Sequence, residues 1–304
     1  MARAMAAIGG ERRRRRLRPQ LVAPYLFVAP FFVLYAVFSA YPVLYSFWLS
    51  FHSRQGISTP KFIGIDNYLD LLSDPRYVKA VLNTATYAAG IVSILVPLAL
   101  AIAVAVGSRY VPFSQLFRLA YFLPAITSAV VISIMFSIVF DYRYGLLNGA
   151  LGAFGVAPVP WINEAQWALP SLILLGVWTW TGLNVLYFLA GLKGIPPELI
   201  EAAMIDGATP LTAFRHVTLP LLRPVTLFVV ISAINGSFQV FAQPKLLTQG
   251  GPSDATLTLT LYLYDVGFGY FNLGYASAIA YSIVAIILTL AIIQLRVFRV
   301  FRED

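Results

Sequence analysis

Cysteine is absent from this 304-residue chain, and charged residues are scarce. The lack of cysteine excludes disulfides and thiolate metal sites. The two histidines, His52 and His216, lie far apart in the sequence, which argues against a histidine-based metal site. Asp, Glu, Lys and Arg make up 11% of the residues, whereas a soluble domain averages about 25%. Together with a hydrophobic content of 59%, this composition predicts a membrane protein.

Two further absences bear on how such a protein could be energised. The sequence contains no G-x-x-x-x-G-K-[ST] phosphate loop, so it lacks that means of binding ATP. No ionisable residue lies in the middle of a long apolar stretch, although proton-coupled carriers and ion pumps usually need such groups. A sodium ion held by backbone carbonyl groups stays open. If the chain moves a solute uphill, we therefore expect a partner protein to supply the energy.

Six apolar stretches are each long enough to cross about 30 Å of hydrocarbon, which takes roughly 20 helical residues. The first begins with Pro24 and Pro30, so we expect a bend or a short interfacial turn at its start. Polar residues between Asn235 and Gln239 interrupt the fifth, as expected where a helix faces a cavity instead of lipid. The stretches lie at 24–49, 82–106, 119–140, 169–191, 224–242 and 274–295.

The basic residues are distributed unevenly between the two predicted sides of the membrane. With the N-terminus in the cytoplasm, 15 of the 21 Lys and Arg residues fall on the cytoplasmic side, so the positive-inside rule places both termini there. We interpret the Arg run at 12–16 as an orientation signal that also contacts anionic membrane lipid. A nucleic-acid role has no neighbouring aromatic residues to support it. The predicted organisation is a basic cytoplasmic tail at 1–23, a six-helix membrane domain at 24–295 and a cytoplasmic tail at 296–304.

The cytoplasmic loop at 195–224 begins with the pattern of a short helix. The pair Pro196-Pro197 can open a helix, because proline is tolerated at the first helical position. Glu198 and Glu201 lie near that start, where the helix dipole favours negative charge. Gly207 then suits the left-handed residue that ends a helix.

A second short helix is predicted in the same loop. Pro210 prevents simple continuation of the first, and the second can run from about 211 to 217, before Pro220. The small side chains of Ala202 and Ala203 would let another protein approach the first helix closely. On physical grounds alone the loop is either such a contact site or an ordinary connection.

The same loop resembles the EAA motif of binding-protein-dependent ABC importer permeases. The matching residues are Glu201-Ala202-Ala203, Asp206-Gly207-Ala208 and Val217-x-Leu219-Pro220, where the family usually has Ile in place of Val217. In that family the loop forms coupling helices that dock into a cleft on the ATP-binding subunit. The resemblance implies that Glu201 pairs with a basic residue of the ATPase and that Gly207 permits the turn. The implied ATPase-coupling residues are Glu201, Ala202, Ala203, Asp206 and Gly207.

Short motifs elsewhere in the chain are similar to those of carbohydrate permeases of the maltose and glycerol-phosphate type. One departure is Ala242, where members often carry Asp. Each motif is weak alone, but their order and their positions relative to the apolar stretches match the subfamily over nearly the whole chain. The motifs are Tyr41-Pro42 and the segments at 62–68, 121–124, 238–241 and 247–252.

The resemblance implies an all-α integral membrane protein with six transmembrane helices, of the type I ABC importer fold, with cytoplasmic coupling helices. It implies a bacterial or archaeal cytoplasmic (inner) membrane. The implied partners are a second homologous permease, a dimer of ATP-binding subunits and an extracytoplasmic solute-binding protein. ATP and Mg would be bound by the ATPase, so we expect neither a cofactor nor enzymatic activity in this chain. The expected solute is a carbohydrate, with a glycerol-phosphate compound, or an independent secondary carrier, as alternatives.

We hypothesise that polar and aromatic residues on the last three stretches line the solute path. Amides match sugar hydroxyls and flat rings match sugar faces. Asn235 and Gln239 are four residues apart, so they share a helix face. Interfacial anchoring is the alternative for Trp178 and Tyr275, and an interhelical hydrogen bond is the alternative for Asn184. The candidates are Trp178, Asn184, Asn235, Gln239, Tyr275 and Tyr281.

Two segments on the predicted extracytoplasmic side are long enough to meet a binding protein. They lie at 143–168 and 243–272. The sequence gives their length and their side of the membrane, and the resemblance implies the partner.

Overall fold

The structure of the protein is a computed structural model that describes residues 19–107 and 121–297. The predicted tails at 1–23 and 296–304 lie almost wholly outside these residues, as does the Arg run within the first tail. By internal contacts the chain forms two units, which divide between Trp48 and Leu49, and each is described by itself.

The first unit is helical. It contains helix α1, a π-helical turn and helix α2, at Pro19–Tyr35, Ala36–Ala40 and Tyr41–Leu49. Pro24 and Pro30 both lie inside α1. The π-helical turn, where the chain departs from α-helical geometry, therefore comes after the prolines and not before the apolar stretch. The side chains of this segment are largely exposed in the chain alone, as suits a surface for lipid or another subunit.

The second unit begins with a small antiparallel ribbon that the prediction of an all-helical fold did not include. Strand β1 at His52–Ser53 pairs with strand β2 at Lys61–Phe62. Helices α3 to α7 follow at Asp66–Ser73, Pro75–Gly107, Ala129–Val139, Leu146–Ala153 and Ala165–Lys193.

The remaining helices begin with the loop that carries the EAA-like sequence. Helices α8 and α9, a π-helical turn and helix α10 lie at Pro197–Ile205, Pro210–Ala213, Phe214–Thr218 and Leu219–Leu221. Helices α11, α12 and α13, a second π-helical turn and helix α14 lie at Arg223–Phe238, Ala242–Leu247, Leu259–Tyr264, Asp265–Gly269 and Leu273–Val297.

Five helical segments of the described residues are long and apolar enough to cross a membrane. They correspond to the first, second, fourth, fifth and sixth predicted stretches. Their bounds are Pro24–Leu49, Pro75–Gly107, Ala165–Lys193, Arg223–Leu247 and Leu273–Val297.

The third predicted stretch, at 119–140, is not one uninterrupted helix. Residues 121–126 are helical, and the chain then breaks before α5, an apolar helix of 11 residues. Ser128 is the N-cap of α5, and its hydroxyl accepts a hydrogen bond from the Val130 N–H at 3.3 Å. Hydropathy does not register this break, because a capping serine changes the average of an apolar window very little.

The core of the second unit lies where α4 packs along α7. Gly176 on α7 makes room for the Tyr87 side chain of α4, because a Cβ atom there would lie 2.3 Å from the Tyr87 hydroxyl oxygen. Leu95 on α4 and Phe188 on α7 are among the fully buried side chains of the same cluster. Small residues at a helix crossing are a means of packing helices in lipid, where burial from water supplies no driving force. The packed pair of α4 and α7 therefore supports the loops at both ends of this unit.

The two ends of this unit are named as follows. The loop end is the end at which α4 and α7 finish, and the far end is the end at which α4 and α14 begin. At the far end, Arg76 forms a bidentate ion pair with Asp254, with both N···O distances at 3.0 Å. Asn83, two turns further along α4, donates to the carbonyl groups of Asp254 and Leu257 at 2.8 and 3.0 Å. These bonds fix the segment before α13 to the beginning of α4.

Candidate functional sites: a docking loop and an amide-lined cavity

Helix α8 at the loop end is built as its sequence predicts. Pro196 is the N-cap, Pro197 is the first helical residue, and Glu198 lies in the first turn. Gly207 has φ +87°, the left-handed conformation expected of it. The Gly207 N–H donates to the Met204 carbonyl at 3.1 Å.

The end of α8 is a complete Schellman motif. Besides the Gly207 bond, the Ala208 N–H donates to the Ala203 carbonyl at 2.9 Å. A Cβ atom on Gly207 would meet nothing within 4 Å, so the requirement for glycine there comes from backbone conformation and not from space.

The second helix of the loop continues further than predicted. Thr209 caps α9, because its hydroxyl accepts from the Thr212 N–H at 3.3 Å, and Pro210 follows as the first helical residue. The expected end before Pro220 is wrong, because the backbone stays helical through α10. In the π-helical turn at Phe214–Thr218, hydrogen bonds join residues five apart instead of four. The helix therefore continues through Pro220, although proline has no N–H to donate.

The outer face of the loop is exposed along the predicted coupling residues. Glu201, Ala202, Asp206 and Gly207 are exposed, and Ala203 is partly buried.

Sequence reasoning missed the apolar side chains beside these residues. Ile205 is 85% exposed and Leu211 is 76% exposed, and Leu199 and Met204 are exposed as well. We call these four residues the apolar loop patch. The signal for Ile205 was its position seven residues after Glu198, which puts it on the exposed helix face. Exposed apolar side chains at a loop tip are typical of a surface that another protein covers.

The inner face of the loop lies opposite the ends of the long helices. A cavity of about 300 Å³ separates the loop from α4 and α7, and Ile200 and Phe214 line its loop side. Val104 and Gly107 line it on α4, and the lining from α7 is Leu189, Leu192 and Lys193. The loop and the ends of both helices therefore face one another across this cavity.

A second cavity, of about 640 Å³, lies between α4, α7 and α11. It brings together three of the six predicted solute-path residues, Asn184, Asn235 and Gln239. The Gln239 Nε2 donates to the Asn235 Oδ1 at 2.6 Å, as their shared helix face allows. The side-chain oxygen of Gln239 and the side-chain nitrogen of Asn235 take no part in this bond, so they can form hydrogen bonds with solute hydroxyl groups. The Asn184 Nδ2 donates to the Trp180 carbonyl in its own helix at 2.8 Å.

Several aromatic and amide residues of this cavity were not predicted. Trp180 and Tyr187 lie four residues before and three residues after Asn184, so helical spacing could have found them. Phe241 and Gln243 follow the end of α11, where the period of the helix no longer applies. Among the described residues, the polar and aromatic lining is Tyr87, Trp180, Asn184, Tyr187, Ser232, Asn235, Ser237, Gln239, Phe241 and Gln243, with no Asp, Glu, Lys, Arg or His.

Trp178, Tyr275 and Tyr281 are not part of the cavity lining. The Trp178 ring packs against the ring of Phe136, with centroids 5.1 Å apart. Tyr281 lies on α14, where it is half-buried. Tyr275 lies at the far end, where its hydroxyl donates to the Asp74 Oδ2 at 2.8 Å.

Asp74 is the centre of a polar cluster at the far end. Its carboxylate accepts hydrogen bonds from the Tyr262 and Tyr275 hydroxyls and from the Arg76 backbone N–H. Burial opposes ionisation of Asp74, but the bonds from Tyr262, Tyr275 and the N–H groups of Arg76 and Tyr77 outweigh it and lower the pKa of Asp74 below its usual value. The cluster joins α13 and α14 to the beginning of α4.

The segment at 143–168 is organised by Asn148 on α6. Its Nδ2 donates to the Tyr142 and Val159 carbonyls at 3.1 and 2.9 Å. Its Oδ1 accepts from the Val159 N–H at 3.0 Å and from the Trp161 Nε1 at 2.9 Å. One buried side chain therefore gives this segment a defined shape. Within the two described ranges, no group of three or more His, Asp or Glu side chains could hold a metal ion.

Comparison with known proteins identifies the class of this chain. It belongs to the family of binding-protein-dependent transport system inner membrane components, whose family model matches residues 95–302. The chain is thus a membrane-embedded ABC importer permease subunit and not an enzyme, and the resemblance stated from the sequence is confirmed.

Relatives match over nearly the full length of the chain. It is 38% identical to the arabinooligosaccharides transport system permease protein AraP of Bacillus subtilis (strain 168), over 93% of this chain and 90% of that protein. It is 36% identical to the lactose transport system permease protein LacF of Rhizobium radiobacter, over 89% and 92%. It is 33% identical to the trehalose/maltose transport system permease protein MalF of Thermococcus litoralis, over 92% and 94%.

A solved structure confirms the fold. A chain of a bacterial ABC transporter involved in the import of the acidic polysaccharide alginate superposes with a TM-score of 0.81 at 20% identity. The match covers 92% of this chain and 96% of that chain. The type I importer fold predicted from the sequence is therefore confirmed.

Proposed function

We propose that this permease translocates a neutral carbohydrate, delivered by an extracytoplasmic solute-binding protein. The observation that carries the proposal is the cavity of about 640 Å³, whose described lining combines amide and aromatic side chains with no Asp, Glu, Lys, Arg or His. Amides exchange hydrogen bonds with hydroxyl groups without favouring a charged solute. The relatives named for arabinooligosaccharide, lactose and trehalose/maltose transport support this solute class.

The same lining argues against a glycerol-phosphate solute. A phosphate group carries about two negative charges at neutral pH and is bound in proteins by Arg, Lys or helix N-termini. The described residues that line the cavity include no Arg or Lys. The likeness to the alginate importer, at 20% identity, supports the fold and does not extend to an acidic solute.

In the proposed mechanism, the loop at 195–224 lies in the cytoplasm and docks on the ATP-binding subunit. Glu201 pairs with a basic residue of that subunit, and the apolar loop patch enters its cleft. ATP-driven closure of the ATPase dimer displaces α8, and closure of the cavity that Ile200 and Phe214 share with α4 and α7 passes the movement to the ends of both helices. The cavity between α4, α7 and α11 then opens to the other side of the membrane.

The remaining parts of the assembly follow from this mechanism. A second homologous permease completes the translocation path, and ATP and Mg are bound by the ATPase dimer. Both termini lie in the cytoplasm of a bacterial or archaeal cell, as the distribution of Lys and Arg favours. The segment around Asn148, whose shape is fixed, is a candidate contact for the binding protein. A solved alginate importer described in complex with its ligand-bound periplasmic protein supports such a partner.

Substitution of the cavity amides tests the proposed solute site. Asn235→Leu and Gln239→Leu, made together in the reconstituted importer, should lower sugar uptake about tenfold or more, because two hydroxyl-binding amides are replaced by apolar groups. Thr289→Val on α14 is the matched control, since its exposed hydroxyl bonds only within its own helix, to Ala285. Uptake is measured with radiolabelled neutral sugars in liposomes. Unchanged uptake in a normally assembled double variant would contradict the solute site.

A further inference from the structure

The cavity is shaped by a break in the fifth span. Helix α11 ends at Phe238, and α12 does not begin until Ala242. Three cavity residues, Gln239, Val240 and Phe241, lie in this break. A chain that leaves helical geometry inside a membrane exposes backbone carbonyl groups, which need partners because lipid supplies none.

Two threonines from a later segment satisfy these carbonyl groups. The Thr260 hydroxyl donates to the Phe238 carbonyl at 3.0 Å, and the Thr258 hydroxyl donates to the Val240 carbonyl at 3.0 Å. The two bonds span 22 and 18 residues of sequence. Thr258 is 1% exposed, so its bond is shielded from competing water.

These bonds differ from those of several hydroxyl groups in α7 and α11. Thr179, Thr181, Thr226 and Ser237 each donate to the carbonyl group four residues earlier in their own helix. Thr258 is the N-cap of α13, a position where threonine usually accepts a bond from its own helix, yet it makes no such bond. Its hydroxyl is directed to the break instead.

The segment that carries the two threonines is itself held in place by α4. The Leu259 N–H donates to the Thr84 hydroxyl oxygen at 2.9 Å, and Asn83 holds the Leu257 carbonyl. Both contacts come from one turn of α4, whose next turns line the cavity with Tyr87 and Ile91. Helix α4 thus fixes the height of the threonines and, through them, the position of the break.

We propose that Thr258 and Thr260 are positioning residues for the solute cavity. Their hydroxyl groups hold the break after Phe238 open and so determine where Gln239 and Phe241 stand. This inference rests on the proposed function of the cavity, since it assigns the two threonines a role in how tightly solute is held during transport. They act through the backbone and do not themselves touch the solute.

The absence of cysteine from the chain permits a direct test of the break. Ala242→Cys places a single thiol at the edge of the cavity, where a membrane-impermeant maleimide reports its accessibility in the assembled importer. Thr258→Val with Thr260→Val removes both hydroxyl groups at nearly constant volume. We expect the labelling rate to change by about threefold or more and the half-saturating solute concentration to rise by a similar factor, as expected for lost hydrogen bonds. We expect the maximal uptake rate to change less.

Two comparisons isolate the hydroxyl groups. Thr258→Ser with Thr260→Ser keeps both donors and should restore wild-type labelling and half-saturation. Thr226→Val removes a hydroxyl that bonds within α11, to Leu222, and should change neither quantity. Labelling and half-saturation equal to wild type in the double Val variant would overturn the proposal, as would a serine variant that behaves like the valine variant.

The thiol measurement separates this proposal from the proposed function. Labelling needs no solute, so it reports the break even where the cavity is not the solute site. Altered labelling combined with unchanged uptake after Asn235→Leu and Gln239→Leu would remove the solute site but keep the positioning of the break. If the double Val variant fails to assemble, Thr260→Val alone, at the less buried position, carries the same comparison.

Discussion

At the scale of single residues, Gly207 and Asp74 show two ways in which the chain fixes its loops. Gly207 acts through its backbone, since a positive φ angle closes the Schellman motif at the end of α8. Asp74 acts through its side chain, which gathers two tyrosines from other helices. The glycine was predictable because its requirement is local. The carboxylate was not, because Tyr262 and Tyr275 lie 188 and 201 residues away in sequence.

The charge of Asp74 makes the stability of the far end depend on pH. Its pKa is lowered in the folded protein, so its contribution is present above the ordinary aspartate pKa of about 3.9 and is lost as the pH falls through the lower folded value. Asp74→Asn should therefore destabilise the protein by about 1 kcal/mol at pH 7, since hydrogen bonds to a partly exposed charge contribute modestly. The difference from wild type should shrink below about pH 4.

Thermal denaturation of the purified protein in detergent, followed across pH, checks this dependence. Asp141→Asn, at an exposed carboxylate between α5 and α6, is the matched control and should leave the midpoint unchanged. A pH-independent loss of stability in Asp74→Asn would show that the charge is not what stabilises the cluster.

At the scale of elements, the membrane-spanning helices and the docking helix were predictable, and the helix breaks were less so. Apolar runs and prolines have signatures within a few residues of sequence. The polar run at Asn235–Gln239 correctly indicated a cavity-facing interruption of the fifth span. The break at Ser128 has no comparable polar signal, and the bonds from Thr258 and Thr260 involve distant parts of the chain.

The apolar loop patch predicts a hydrophobic contribution to docking. Ile205→Gln with Leu211→Gln should leave the fold of the chain intact, because both side chains are exposed in it. It should weaken retention of the ATP-binding subunit about tenfold or more, since two apolar anchors are lost from an interface. Co-purification at decreasing concentrations of the ATP-binding subunit measures its retention. The control is Ile57→Gln at the far end, where Ile57 is fully exposed. Retention equal to wild type would exclude the patch from the interface.

At the scale of the whole molecule, the same two helices connect the proposed docking loop with the proposed solute cavity. Helices α4 and α7 line the cavity between the membrane spans and also end against α8 and the π-helical turn at Phe214–Thr218. Composition predicted a membrane protein without its own ATP site, and the loop sequence predicted the missing partner. Helical spacing from Asn184 relates Trp180 to the cavity and not Trp178, but the sequence does not show that Asn184 itself faces the cavity, because packing selects that helix face.

The central claim is that ATP hydrolysis by a partner drives transport through this loop. The most direct measurement is solute-stimulated ATP hydrolysis by the reconstituted importer carrying Glu201→Arg or Gly207→Asp, with Asp70→Asn on the exposed side of α3 as control. Glu201→Arg reverses the proposed charge pair, and Gly207→Asp adds a strained side chain and a charge at the turn. We predict that both variants assemble in the membrane but lose stimulation by the binding protein and solute. Stimulation at the wild-type level in both variants would contradict the account.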